Sequence, residues 1–172
     1  MNITIRRETE SDIDAISEIT KAAFQSLQVS NHTEQFIINA LREAKALTIC
    51  LVAEADDKVA GHIAFSPVTI SDGSRDWYGL GPISVSPELQ KQGIGESLIQ
   101  AGLSALTTLG GKGCVLVGHP SYYRRFGFRN LPDLVVDGVP SQYVFALPFD
   151  ENTPHGTVVF HEGFAAKGGW RR

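Results

Sequence analysis

Cysteine is scarce in this 172-residue chain: Cys50 and Cys114 are the only two, and they lie far apart. With no CxxC pair, neither a dithiol redox motif nor a cysteine zinc knuckle follows from spacing, and both residues read as buried reduced thiols in apolar, strand-like segments. The five histidines, at 32, 62, 119, 155 and 161, make no HxxxH or HExxH arrangement, so no metal is expected. Excess positive charge is also missing. Fifteen Lys and Arg against 19 Asp and Glu give a net charge of −4, which argues against a surface that grips nucleic acid. No apolar run is long enough to span a bilayer as a helix, and MNITIRRETESD turns polar too soon for a signal-peptide core. A soluble, cytoplasmic protein is the expectation.

What is present suits one domain over residues 1–172, with 129–172 as a C-terminal extension broken by prolines 132, 140, 148 and 154. Ile3 and Ile5 alternate with polar residues as in a strand, and Thr9 with Asp12 has the spacing of a helix cap. Ile13, Ile16, Ile19, Ala23 and Phe24 then share one helical face, and Phe36, Ile37, Ala40 and Leu41 repeat the pattern between Thr33 and Ala44. LTICLVAEADDKVAGHIAFSPVTI reads as two strands around an Asp56-Asp57 turn. WYGLGPISV is strand-like but holds Gly79, Gly81 and Pro82, the mark of a bulge or of a backbone leaving its neighbour. Leu98, Ile99, Gly102, Leu103, Ala105 and Leu106 form another helical face that stops at Gly110 and Gly111, and GCVLVG returns as a buried strand. Strand, helix, strand in this order requires a crossover, which predicts an α/β fold with a mixed sheet. YVFAL and GTVVF add strands, and the terminal WRR reads as a frayed tail.

Between that bulged strand and the helix lies SVSPELQKQGIG. A helix starting near Gly93 presents amides without helical acceptors, and together with the helix dipole these suit a phosphate. Gly93 and Gly95 leave room for close approach, with Gln90, Lys91 and Gln92 around it. Two other phosphate motifs fail here. GxGxxG would need glycine at position 98, which is Leu98, and GGKG is not a P-loop because Gly113 follows Lys112.

The sequence resembles the GNAT-type N-acetyltransferases, whose [QR]xxGx[GA] motif is matched by Gln90, Gly93 and Gly95. The strand LGPISV before it, and Tyr123 four residues ahead of Gly127-Phe128 in YYRRFGF, fit the same pattern. The likeness runs from Ile3 to about Phe128, and its two main segments are most similar to a group of predicted bacterial acetyltransferases resembling YhbS. It implies a mixed, mostly antiparallel sheet opened at a bulged central strand, with helices on both faces. Acetyl-CoA is the implied acyl donor. Its pyrophosphate would lie on the amides of Gln90, Lys91, Gln92, Gly93, Ile94, Gly95 and Glu96, and its pantetheine arm along the backbone of Ile83, Ser84 and Val85. Acetyl would pass directly to an amine of a small molecule or peptide, with Tyr123 protonating the departing sulfur and Tyr122 as the competing phenol.

For a general base the sequence offers His62, His119, Glu54 and Asp76, and a water chain is the alternative to all of them. Spacing gives neither histidine a partner to set its tautomer, so each reads first as a hydrogen-bonded structural residue. Gly118 and His119 stand where many family members have an asparagine, and Arg124 and Arg125 read as a solvated helix face. No membrane or nucleic-acid partner is expected, and a homodimer is allowed. Two rivals stay open: an acyl-CoA-binding sensor or interaction module without turnover, and a nucleotide-phosphate binder that uses only the loop.

Overall fold

The computed structural model describes residues 2–25 and 34–164, so Thr33 at the expected start of the second helix, His32 and the WRR tail lie outside the described residues. The order begins β1 (Ile3–Arg7), α1 (Ile13–Gln25), α2 (Glu34–Glu43), β2 (Ile49–Ala55), β3 (Lys58–Ile70) and β4 (Trp77–Val85). It continues α3 (Ile94–Thr108), β5 (Gly113–Val117), α4 (Pro120–Tyr123), β6 (Leu134–Val135), β7 (Val144–Pro148) and β8 (Gly156–Phe160). Among the described residues, no helix is long and apolar enough to cross a membrane.

Local chemistry sets several boundaries. The Thr9 amide donates to Asp12 Oδ2 at 2.7 Å, closing the turn that leads into α1. Asp56 and Asp57, at φ +50° and +68°, make the two-residue turn between β2 and β3 that favours short polar side chains. At the end of α3 the Gly111 amide donates to Leu106 O at 2.8 Å and the Gly110 amide to Thr107 O at 3.1 Å, the paired bonds of a Schellman cap.

The strands form one mixed sheet in the order β1-β2-β3-β4-β5-β7. All neighbours in that path are antiparallel except β4 with β5. α3 packs on one face, where Leu98, Ile99 and Leu106 meet Leu51, Ile63 and Phe65 in the main core. The other face carries α1 and α2, with Ile16 and Ile38 against Val52. β3 is long because it serves two partners in succession: β2 along Lys58–Phe65 and β8 along Val68–Ile70. The strands expected from YVFAL and GTVVF therefore join the sheet by different routes, β7 beside β5 and β8 beside the far end of β3.

Candidate active site

β4 is the strand that shapes the site. Its register against β3 runs Ile63↔Ile83 and then Phe65↔Leu80, so Gly81 and Pro82 stand opposite a single residue and the strand bulges there. Pairing with β5 covers only Trp77, Tyr78 and Gly79. Beyond Gly79 the two parallel strands part, and Leu116 and Val117 pair with β7 alone. The backbone of β4 up to Val85 thus has a strand neighbour on one side only, leaving an edge that a peptide-like ligand can satisfy.

The glycine loop sits at the mouth of this opening. Gly93 is the N-cap of α3 at φ +88°, a left-handed conformation that glycine adopts without a Cβ penalty. The first loop bond back to it is Ser97 N–H to Gly93 O at 3.0 Å. Among the described residues, no backbone carbonyl accepts from the amides of residues 91–96, which is the acceptor-poor helix start that anions occupy. Lys91, Gln92 and Gly93 are exposed, and the Gln90 side chain turns back to donate to Val85 O at 3.1 Å. Two residues of the expected cofactor set direct their side chains elsewhere. Ile94 is fully buried in the core under α3, and the Ser84 hydroxyl meets that of Thr20 on α1 at 3.2 Å, inside the protein. Each can offer a ligand only its backbone.

The two tyrosines of α4 occupy different surroundings. Tyr123 packs over Gly118 and against Phe128 and Phe145, and burial pushes its phenol up to about 12. Tyr122 instead reaches α3, its hydroxyl 3.0 Å from where a Cβ on Gly95 would stand. Its ring is held edge-on by Tyr123 and Phe126 and capped by the Arg125 guanidinium at 4.4 Å. Gly95 therefore makes room for Tyr122, a requirement that the motif alone did not reveal. Arg124 and Arg125 are exposed as expected, but neither is unattached: Arg124 donates to Asn130 Oδ1 at 2.7 Å.

The structure scatters the candidate bases. Asp76 precedes β4 at the end away from the glycine loop, beside Arg75 and Lys112 in an exposed recess. Glu54 receives a bond from Arg6 at 3.2 Å. His119 caps α4, accepting from the Ser121 amide at 3.2 Å, which is a structural use of the imidazole. His62 is fully buried, and burial lowers its pKa to about 4, so it is neutral. It has a partner that spacing did not name, as a structural histidine requires. Its Nε2 lies 2.8 Å from Cys50 Sγ, and Cys50 in turn donates to Glu8 Oε1 at 2.8 Å. Cys114 is buried as expected, whereas Cys50 is only partly so.

The mixed sheet parts between two parallel strands, and a helix start with free amides lies at the opening, an arrangement suited to a phosphate-bearing ligand. Sequence comparison makes the class specific. The profile of the acetyltransferase (GNAT) domain matches residues 4–130, and the chain belongs to that family. It is 34% identical over 126 residues to the uncharacterized N-acetyltransferase YhbS of Escherichia coli K12, covering 73% of this chain and 72% of that protein. Among solved structures, a GNAT family acetyltransferase from Brucella melitensis in complex with acetyl-CoA superposes with a TM-score of 0.85. That match is 46% identical and covers 95% of this chain and 98% of the other. Escherichia coli YhbS in complex with CoA gives a TM-score of 0.88 at 30% identity, covering 98% and 94% of the two chains.

Proposed function

We propose that this protein binds acetyl-CoA in the opening between β4 and β5 and transfers the acetyl group directly to an amine. The observation that carries the reading is the one-sided pairing of β4 beyond Gly79, continuous with the free amides of residues 91–96. Pantetheine, an amide chain, would pair with the backbone of Ile83, Ser84 and Val85, and the pyrophosphate would take the amides from Lys91 to Glu96, since the expected Gln90 amide already donates to Pro87 O at 3.5 Å. In this reading residues 1–172 act as one acyltransferase domain, because β7 and β8 of the C-terminal stretch complete the sheet that holds the site.

Transfer joins the amine nitrogen to the thioester carbonyl carbon and breaks the carbon-sulfur bond, so the thiolate must gain a proton and the amine must lose one. Tyr123 is assigned as the donor to sulfur. Its raised pKa keeps the phenol protonated at neutral pH. In this reading the phenol donates to the sulfur as the carbon-sulfur bond breaks, and the proton lost by the amine, passed through water, restores the phenol or completes the thiol. The acceptor is a small-molecule or peptide amine.

A second reading, an acyl-CoA sensor on the same fold, is favoured by one observation: His119, Glu54 and Asp76 are each engaged elsewhere or remote, and His62 is fully buried. Turnover separates the two. Release of free CoA from acetyl-CoA, measured across amines, amino acids, polyamines and peptide N-termini, is expected with at least one acceptor class. Stoichiometric acetyl-CoA binding with no release across that panel would favour the sensor.

A further inference from the structure

Glu8 follows β1, Cys50 lies on β2 and His62 on β3, so three adjacent parts of the sheet deliver oxygen, sulfur and nitrogen to one point. Residue spacings of 42 and 12 conceal the group in the sequence. Sγ lies 2.8 Å from both Glu8 Oε1 and His62 Nε2, and Oε1 to Nε2 is 3.7 Å. Arg42 of α2 fixes the carboxylate with two prongs, Nη2 to Oε1 at 2.7 Å and Nε to Oε2 at 3.3 Å.

We propose that Glu8, Cys50 and His62 form a binding site for a borderline-soft divalent cation, for which zinc is the best match. Thiolate, imidazole and carboxylate are together a zinc donor set. On a zinc tetrahedron such donors stand about 3.4–3.6 Å apart. The oxygen-nitrogen edge is already of that size, and the sulfur has only to swing outward by less than about 1 Å, a small χ1 movement. Among the described residues the cluster offers three donors, so water would take the fourth position.

The protons balance. Without metal the thiol has one hydrogen, which it gives to the carboxylate, and His62 Nε2–H donates to Sγ. A cation entering the cluster would displace the thiol proton and the Nε2 proton, of which Nδ1, the buried ring nitrogen without a partner, takes up one while the other goes to solvent. Thiolate and carboxylate then offset the two positive charges, and Arg42 remains on the second lone pair of Oε1 as an outer support. Binding releases a proton, so it should weaken as pH falls.

The test titrates untagged, metal-stripped protein with Co(II), then with Zn(II). One equivalent of Co(II) should give a thiolate-to-cobalt charge-transfer band with tetrahedral d–d absorption, and Zn(II) should bleach both. Saturating Zn(II) should raise the melting temperature by about 5 °C. Cys50→Ser should abolish the charge-transfer band, Glu8→Gln should weaken Co(II) binding about tenfold or more, and Cys114→Ala should change neither. Absence of the band in the wild-type protein overturns the proposal without reference to any variant. A band that survives in Cys50→Ser but vanishes in Cys114→Ala overturns it as well. These readouts are independent of acetyl transfer, so this site and the proposed function can fail separately.

Discussion

The hydroxyl of Tyr122 lies 3.0 Å from the point that a Cβ on Gly95 would occupy, so the start of α3 and the tyrosine pair of α4 approach each other closely where the glycine stands. Tyr123, Phe126 and Arg125 contact the ring, so moving it aside disturbs these contacts as well. Gly95→Ala should therefore displace Tyr122 at the loop and weaken acetyl-CoA binding by about 1 kcal/mol, roughly fivefold in Kd. Calorimetric titration of the folded variant checks it. Unchanged affinity would mean that Tyr122 and the loop are not coupled through this contact.

Tyr123→Phe keeps the ring that packs on Phe128 and Phe145 and removes only the hydroxyl. The expected result is a fall in kcat of about 100-fold or more, with acetyl-CoA affinity nearly unchanged. If Tyr122→Phe produces that signature instead, the proton donor is Tyr122.

Thr20 and Ser84 meet inside the protein and connect α1 to the bulged strand. Thr20→Val leaves the Ser84 hydroxyl buried without this partner and should cost about 1–2 kcal/mol in chemical denaturation. Adding Ser84→Ala should restore part of that loss, since both polar groups are then gone. Strict additivity of the two variants would show that the bond contributes nothing.

Much of the framework was legible where the cause is local. The cap at Thr9 and Asp12, the Asp56-Asp57 turn and the double glycine after α3 each depend on residues within a few positions of one another. The opening in the sheet was legible too, through Gly81 and Pro82 in an otherwise apolar strand. Side-chain direction was not. Ile94 and Ser84 lie within the loop and strand expected to hold cofactor, yet both point into packed interior that other elements supply. The partner of His62 is on a neighbouring strand, and the approach of Tyr122 to Gly95 requires knowing how α4 lies against α3. Such contacts depend on tertiary placement, which a repeat of two or 3.6 residues does not encode.

Asp12 is buried between the Thr9 amide and the Arg6 guanidinium, which holds its carboxyl well below the usual carboxylate range. A carboxyl with a depressed folded-state pKa adds stability that is fully present above its unfolded value, about 3.9, and is lost as pH falls through that value toward the folded one. Asp12→Asn should cost about 2 kcal/mol at pH 7 and make unfolding less steeply dependent on pH below about 4. Denaturation midpoints of both proteins at pH 7 and at pH 3 check it; an equal gap at the two values would remove Asp12 from the acid response.

Isothermal titration calorimetry with acetyl-CoA, followed by competition with ATP, tests the opening between β4 and β5 most directly. One acetyl-CoA should bind per chain, with little displacement by ATP, because the β4 edge recognises the pantetheine arm that ATP lacks. No binding of acetyl-CoA or a longer acyl-CoA by folded protein, or preferential binding of ATP, would contradict the proposed function.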